Sequence, residues 1–514
     1  MQAFFEGINK FFEFIVPIAD FLWDFPTNYH WYASIPILGK FTFAILLLVG
    51  TGIFFTIKTR FVQITHFKKG LNILIKKKSS GTGTSPLTAF LLSSAMRVGP
   101  GNIMGVTGAI SIGGPGAMFW MWVSAFFGMA TAFAEAVLSQ IFKEKEGNEY
   151  VGGLPFYGMK VLGNKRWVGV ILSVIFIIYA LFSIPGQTFH LFTALGSVAD
   201  TLAGTTFDRQ SSVYYGIGIF LIVSVALTVL GGLKRVTKVT DIMVPIMAVI
   251  YTVIILILIL LNINLIPYFL KAVFAGAFKP DAMFGGAFGI ALAQGIKRGL
   301  MSNEAGQGTI TMAAAVADND HPCEQGFVQA LGVFLDTMII CSMTGFVIVM
   351  AHVWTGDSGV AWDSIKASKL TVYLTSIQYL VPGTALDSII KAILSLCYGL
   401  FAFTTLIGLV LFAEISGNFI SRGKKFIMGI RLAGALFFVP FGVLTVLAGL
   451  ELGNLWYISD FVNIMVVYAN VPILLVGSGI IFKAWNNYLS TNGGRFVSNE
   501  IKIDTPIWTK ELNL

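Results

Sequence analysis

The hydrophobic residues of this chain fall into long runs that are separated by short polar loops. A helix of roughly 20 apolar residues has the length that crosses a lipid bilayer. Eleven stretches meet this criterion, near residues 36–57, 86–112, 115–142, 167–190, 212–233, 241–262, 282–306, 325–353, 384–414, 425–447 and 454–483. The pattern therefore predicts an all-α integral membrane protein with eleven transmembrane helices.

The second and seventh stretches are poor continuous helices, because both are rich in glycine and carry charges. Without the first stretch, the other ten form two sets of five, residues 86–262 and 282–483, and each set begins with an interrupted stretch. An odd number of spans gives the two sets opposite orientations. Paired interrupted segments in inverted halves are typical of secondary transporters with a site near the midplane. The alternative is eleven helices without internal symmetry, in which the glycines serve close packing.

The loops and the ends of the chain predict an orientation. Residues 1–35 lack the basic start and the cleavage site of a signal peptide and resemble an interfacial amphipathic helix. Lysine and arginine cluster after the first, third, fifth and ninth stretches, as in KGLNILIKKK, and such loops face the cytoplasm. We therefore expect a plasma-membrane protein with an external N-terminus, an extra helix at 36–57 and a cytoplasmic tail at 484–514.

Composition excludes several classes of protein. The chain is 56% hydrophobic and only 12% charged, whereas soluble domains carry roughly 25% charged residues. The net charge of +8 lies in loops between apolar stretches and does not indicate nucleic-acid binding. The three cysteines imply no disulfide framework, since two of them lie in apolar stretches. An intramembrane enzyme or a channel is disfavoured, because the sequence has no HExxH, no GxSxG and no repeated filter motif.

The first interrupted stretch contains RVGPGN, Arg97 to Asn102. Pro100 lacks an N–H and clashes with the preceding turn, and Gly99 and Gly101 allow unusual backbone angles. We therefore expect the helix to open here, which frees carbonyls for a cation and N–H groups for a carboxylate. Asn102 offers both kinds of group. A simple proline kink is the alternative.

The second interrupted stretch is AQGIKRGLMSNEAGQGT, in which four glycines alternate with charged and polar residues. Lipid does not tolerate such polarity, so these groups are expected to face protein or a water-filled cavity. The alternative is that part of this stretch is a cytoplasmic loop.

Three motifs, GNIMGVTGAISIGGPGAMFWMW, GMATAFAE and KRGLMSNEAGQG, strongly resemble those of the alanine or glycine:cation symporter family. The resemblance extends from about Pro86 to Phe482. It implies a LeuT-type fold of two inverted five-helix repeats and sodium-coupled uptake of small neutral amino acids, mainly alanine and glycine, by alternating access. The implied partners are the amino acid, sodium as the coupling ion and the lipid bilayer, with no other cofactor. A symporter of the same fold for glutamine or another polar amino acid, or one coupled to protons, stays open.

The resemblance also implies which residues bind the substrate. These are Gly99, Gly101, Asn102, Gln187, Gln294 and Gly295. The first three match the family's GxGN, which holds the substrate carboxylate. Gln187 is implied as a polar contact, although it could instead bond only to a neighbouring helix. The Gln294–Gly295 pair is implied to lie where the second break faces the amino group.

For sodium, the resemblance implies a site between the first interrupted helix and the ninth stretch. The implied ligands are the hydroxyls of Thr404 and Thr405 and the carbonyls of Ala95 and Val98. Oxygen atoms of this kind are what a hard cation prefers. The alternative for the threonines is a hydrogen bond back to a carbonyl one turn earlier.

Two positions depart from the family's usual pattern. Many relatives have threonine in place of Pro100, which provides neither an N–H nor a hydroxyl to a carboxylate. Arg97 also differs from the commonest residue. Arg97 could contact the substrate carboxylate, pair with a buried acid, or stand in for a second cation. We expect the ion pair, with Glu135, Glu304 or Asp336 as the partner.

Overall fold

The computed structural model of the protein describes residues 2–35, 38–75, 82–278, 287–351, 369–381, 385–449 and 453–509. Seven helices in these ranges are long and apolar enough to cross a membrane, and the bent pair Asp460–Val476 and Ser478–Ser490 makes eight. The expected count of eleven is not confirmed. The expected starts of three stretches, at residues 36, 282 and 384, lie outside the described residues, as do the end of the eighth at 353 and the last five residues of the tail.

The N-terminal part and the first half of the molecule are helical. Their α-helices are Gln2–Phe11, Ile15–Asp24, His30–Ala33, Phe43–Lys58, Val62–Thr65, Phe67–Leu74, Pro86–Arg97, Val106–Gly113, Gly116–Ile141, Leu154–Val161, Arg166–Ala203, Ser212–Val229, Gly232–Leu261 and Ile266–Phe278. A π-helical turn, Gly101–Gly105, precedes Val106–Gly113. Short 3-10 turns lie at Phe12–Phe14, Leu38–Lys40 and Ile263–Leu265. Two short strands, Glu144–Glu146 and Glu149–Val151, pair in antiparallel register.

The second half repeats this organisation. Its α-helices are Ala287–Asn303, Ile310–Ala315, Pro322–Val333, Ser342–Met350, Lys369–Leu380, Ala385–Ile420, Lys424–Ala433, Val439–Leu447, Gly453–Val476 and Ser478–Ser490. The π-helical segments Phe334–Cys341 and Gly434–Phe438 join their neighbours into the continuous spans Pro322–Met350 and Lys424–Leu447. A 3-10 turn, Ser498–Ile501, lies in the C-terminal tail.

Local capping residues determine where the helices begin and end more closely than the ends of the apolar stretches do. Ser85 caps the helix that begins at Pro86, because its hydroxyl accepts a hydrogen bond from Thr88 N at 3.1 Å, and proline suits the first helical position. The helix Gly232–Leu261 begins nine residues before the expected 241. The basic residues predicted to follow the fifth stretch as a loop therefore lie in its first turns.

Corresponding helices of the two sets pack against each other. The third helix of the first set, Arg166–Ala203, lies along the third helix of the second set, Ala385–Ile420. In the same way, Gly116–Ile141 packs against Pro322–Val333. The Ala287–Asn303 helix also crosses Gly116–Ile141 closely: a Cβ at Gly295 would lie 2.4 Å from the carbonyl oxygen of Ala117. This arrangement places the two interrupted helices side by side in the middle of the bundle.

Both ends of the chain pack on the helical bundle. The helix Ile15–Asp24 lies against Gly453–Val476, where Trp23 Nε1 donates to the Asp460 carbonyl at 3.0 Å. Residues 491–509, which we call the tail segment, fold back from the last helix: Phe496 N donates to the Asp320 carbonyl at 2.9 Å. We name this end of the bundle, which carries the basic loops, the inner end, and the opposite one the outer end.

Candidate functional site

The first interrupted helix opens at RVGPGN, as expected. Its first part ends at Arg97, Val98 has a non-helical ψ of 79°, and the chain resumes as a helix at Gly101. Asn102 holds the opening from both ends of its amide. Its Oδ1 accepts from Gly99 N at 2.8 Å, and its Nδ2 donates to Asp336 Oδ1 at 2.6 Å. The Asn102 amide therefore bonds within the protein, whereas the sequence predicted that it contacts the substrate.

The second interrupted helix opens later than expected. Ala287–Asn303 is continuous, and the helix resumes only at Ile310. Glu304 starts the opening with a left-handed φ of 58°. Gln294 and Gly295 lie inside the continuous helix, so the prediction that they sit at the break is wrong. Glycine at 295 instead allows two helices to cross closely. A glycine-rich pattern alone does not distinguish a helix break from a close helix crossing.

Asp336 connects the two openings. Besides the bond from Asn102, its Oδ2 accepts from Ser302 Oγ at 2.9 Å and from Thr337 Oγ1 at 2.7 Å. The openings also touch directly, since a Cβ at Gly101 would lie 3.7 Å from Ser302 Cα. The sequence offered Asp336 only as a partner of Arg97. The available signal was an acid inside an apolar stretch, which does not by itself say which helix it serves.

Arg97 is 1% exposed and lies between the two openings. Its Nε donates to the Asn303 carbonyl at 3.0 Å, and one terminal nitrogen donates to Gln329 Oε1 at 2.9 Å. Glu135, Glu304 and Asp336 act on the guanidinium only at longer range, and none forms an ion pair with it. The expected ion pair is therefore wrong. Among the residues that the structure describes, the second terminal nitrogen of Arg97 has no hydrogen-bond partner.

Thr405 faces the first opening, whereas Thr404 does not. The Thr405 hydroxyl lies 3.0 Å from the Ala95 carbonyl, which the opening frees from helical bonding, and 2.9 Å from that of Phe401. A Cβ at Gly99 would lie 2.7 Å from this hydroxyl. Thr404 bonds back to carbonyls one turn earlier and lies 3.8 Å from Met247 Sδ. Of the two expected hydroxyl ligands, one is therefore placed opposite the freed carbonyls.

A cavity of about 380 Å³ lies between the two openings and extends towards the outer end. Five of the predicted site residues line it: Arg97, Gly99, Gly101, Gln187 and Thr405. Met301, Glu304 and Gln307 line it from the second interrupted helix, and Lys369 and Asp460 line its outer part. The structure thus brings the first opening, Gln187 and Thr405 to one cavity, and it leaves Gln294 and Gly295 outside the cavity wall.

The side chain of Gln187 makes no hydrogen bond within the described residues, and its Oε1 is buried. A buried amide usually pairs with protein or water. The alternative expectation, that Gln187 bonds to a neighbouring helix, is therefore wrong for this structure. An unpaired amide in a cavity wall is suited to bind a polar ligand.

At the inner end, Glu135 and Asn470 bind the loop of the second opening, although Glu135 Oε2 has no partner within the described residues. Glu135 Oε1 accepts from Gly308 N at 2.8 Å and from Asn470 Nδ2 at 2.6 Å, which fixes the loop of the second opening. Asn470 also accepts a hydrogen bond from the Tyr157 hydroxyl and donates to the Gly306 carbonyl at 2.9 Å. These contacts close the second opening on its inner side.

The tail segment covers this closed end. Trp508 Nε1 donates to the Gln140 carbonyl at 2.7 Å, and the Trp508 ring lies 5.2 Å from Lys143 Nζ. Lys143 donates to Gln140 Oε1 at 2.7 Å and to the Ala317 carbonyl at 2.5 Å. Burial lowers the pKa of Lys143 to about 7, although Asp318 opposes this shift.

The sodium:alanine symporter family matches residues 30–499, most of the chain. The chain belongs to this family. The family's members are transporters, so the chain is a secondary active transporter and a multi-pass membrane protein.

Relatives of the family are similar along most of their length. The sodium/alanine symporter AgcS of Methanococcus maripaludis is 34% identical over 86% of this chain and 94% of its own. The probable sodium/glutamine symporter GlnT of Bacillus subtilis is 34% identical over 86% of this chain and 87% of its own. The amino-acid carrier protein AlsT of the same organism is 33% identical over 94% and 93%.

The fold is also that of a solved transporter. The crystal structure of MhsT in complex with L-phenylalanine matches 80% of this chain and 100% of that chain, with a TM-score of 0.56 and 13% sequence identity. This likeness confirms the LeuT-type fold that was expected for this chain. Sequence and geometry therefore agree on the architecture that surrounds the cavity.

Proposed function

We propose that the protein takes up alanine and glycine together with sodium across the plasma membrane, by alternating access and without catalysing a reaction. The observation that carries this proposal is the cavity between the two openings, which Arg97, Gln187 and Thr405 line. Within the described residues, one terminal nitrogen of Arg97 and the Gln187 amide oxygen have no hydrogen-bond partner. The proposed orientation keeps the N-terminus outside and residues 484–514 in the cytoplasm, with repeats at 86–262 and 282–483.

In this proposal the substrate carboxylate binds at the first opening. The unpaired Arg97 nitrogen supplies a charge-assisted hydrogen bond, and the helix that begins at Gly101 contributes its positive end. This pairing compensates for Pro100, which has no N–H to donate. The ammonium group binds the Gln187 amide oxygen, and Glu304, which also lines the cavity, adds negative charge.

Sodium binds between Thr405 and the carbonyls of Ala95 and Val98 in this proposal. The hydroxyl and carbonyl oxygens are the ligand types that a hard cation takes. Without the ion, the Thr405 hydroxyl lies within hydrogen-bond distance of the Ala95 and Phe401 carbonyls, and its proton points to one of them. A cation would turn the Thr405 and Ala95 oxygens towards itself and so tie the first interrupted helix to Ala385–Ile420. Substrate and ion would then order the same opening, which couples their binding.

Uptake into proteoliposomes tests this function. We expect labelled alanine and glycine to accumulate when sodium is higher outside, and to stay at the level of empty vesicles when potassium replaces sodium. Accumulation that ignored sodium and followed an imposed pH gradient would overturn the choice of ion. Failure to accumulate either amino acid under both gradients would overturn the choice of substrate.

A further inference from the structure

A second unpaired amide lies in the cavity wall. Asn463 belongs to the helix Gly453–Val476 and lies about one turn further along it than Asp460, which pairs with Lys297 at 3.8 Å. The Asn463 side chain lines the cavity and is 8% exposed. Within the described residues its amide makes no hydrogen bond, and its Oδ1 is buried. Leaving such a group unpaired costs free energy, so it calls for an explanation.

Structural asparagines of this protein look different. The Asn303 amide accepts from Ala305 N at 3.0 Å and donates to Thr337 Oγ1 at 3.3 Å. Asn102 and Asn470 also use both ends of their amides. Each of these three holds an opening in a fixed geometry. The Asn463 amide bonds to none of the described residues, so it is available to a ligand in the cavity.

The geometry points to Asn463 as the residue that binds the substrate side chain. This inference rests on the proposed function, in which Arg97 and Gln187 take the carboxylate and the ammonium group. Asn463 lines the cavity from a different helix. With the carboxylate and the ammonium group bound elsewhere, it is available to the side chain of the substrate. A cavity of about 380 Å³ falls within the size range of sites for larger ligands, so it has room for a side chain longer than a methyl group.

The preferred substrates then carry a hydrogen-bonding side chain, with a carboxamide as the best match. The carbonyl oxygen of an amide side chain accepts a hydrogen bond from Asn463 Nδ2, which makes none within the described residues. A substrate of similar length with an apolar side chain leaves Asn463 desolvated and unpaired, and sites of this kind reject such analogues. The protein should therefore favour glutamine over methionine, besides taking up alanine.

Competition against labelled alanine tests the inference. In the unmodified protein, glutamine should inhibit sodium-driven alanine uptake at a concentration about tenfold lower than methionine, which corresponds to one unmet hydrogen bond. Asn463→Leu should abolish this difference between glutamine and methionine, because leucine provides no hydrogen-bonding group to the substrate side chain. Asn463→Gln, which keeps the amide, should retain part of it.

The matched control is Asn262→Leu, an asparagine at the outer end that bonds to the Leu258 carbonyl and does not line the cavity. It should leave the glutamine preference unchanged. Equal inhibition by glutamine and methionine in the unmodified protein would overturn the inference, whether or not the variants fold. A difference that survived Asn463→Leu would do the same. Both results leave sodium-driven alanine uptake intact, whereas loss of that uptake would overturn the proposed function itself.

Discussion

Several amide and amine groups differ in their hydrogen bonding between the outer cavity and the inner end of this transporter. In the cavity wall, the amides of Gln187 and Asn463 and one nitrogen of Arg97 have no hydrogen-bond partner in the described residues. At the inner end, the polar atoms of Gln140 and Lys143 pair with side chains and carbonyls, and Trp508 covers them.

Under the proposed function, this difference separates groups that stabilise the structure from groups that bind a ligand. Both regions are buried, both surround an opening of an interrupted helix, and both contain amides. Burial and residue type therefore do not distinguish the amides of Gln187 and Asn463 from that of Gln140, whereas their pairing does. The contrast is confined to these groups, since Glu135 Oε2 and Asn319 Oδ1 at the inner end also lack a partner within the described residues. In the proposed function, the unpaired groups of the cavity bind the substrate, and the paired groups of Gln140 and Lys143 belong to the closed end.

The largest expected effect comes from Asn102→Ala, which removes the bonds to Gly99 N and Asp336 that hold the first opening. We expect sodium-driven alanine uptake to fall at least about 100-fold, since misplaced binding groups cost that much. Uptake is measured in proteoliposomes and normalised to the amount of reconstituted protein. Asn262→Ala is the control that should stay active. Full activity of Asn102→Ala would show that the opening does not depend on this residue.

Thr405→Ala should raise the sodium concentration for half-maximal uptake about tenfold, the effect of losing one ligand bond. Thr404→Ala is a matched control on the same helix, because Thr404 bonds back to its own helix. It should change the sodium dependence less than about twofold. Sodium titration of alanine uptake checks both variants. Equal shifts would contradict the assignment of Thr405 alone to the ion.

Trp508→Ala should loosen the inner end without touching the cavity. Cys323, which is fully buried next to His321 at this end, serves as a natural probe. We expect its alkylation by a membrane-impermeant maleimide to become several-fold faster, as local opening becomes easier. Mass spectrometry locates the label. Trp167→Ala changes an exposed tryptophan and should have no effect. An unchanged rate in Trp508→Ala would show that the tail segment does not protect this end.

The smallest effect concerns Lys143. Burial gives its amine a pKa of about 7 in the folded protein, below the ordinary value of 10.5. Between these values the unfolded chain binds the extra proton, so stability should rise with pH. The Tm in detergent should therefore increase from pH 6.5 to 9, and Lys143→Met should remove that part of the increase. Lys145→Met, at an exposed position, should not. The same slope in both variants would contradict the assignment.

The apolar stretches predicted the membrane class, and the motifs predicted the family and the fold. The first opening was also predictable, because Pro100 and its flanking glycines act on their own backbone. The second was placed too early, since Gly295 and Gly299 serve helix crossing against Gly116–Ile141. That use depends on a helix distant in sequence.

The site itself was only partly predictable. Thr405 and Gln187 were expected at the cavity, and the structure places both there. The partners of Arg97 were missed, because a carbonyl at Asn303 and an amide at Gln329 carry no charge that a sequence pattern would reveal. Asn463 gave no signal either: only a cavity shows that an amide lacks a partner.

Binding of labelled alanine to the purified protein in sodium tests the central claim most directly, by comparing one glutamine from each region. Gln187→Leu removes an unpaired amide in the cavity, and Gln140→Leu removes a paired one at the inner end. The account predicts that Gln187→Leu weakens alanine binding at least about tenfold, and that Gln140→Leu keeps the affinity and loses only stability. Unchanged affinity in Gln187→Leu, or an equal loss in both variants, would contradict it.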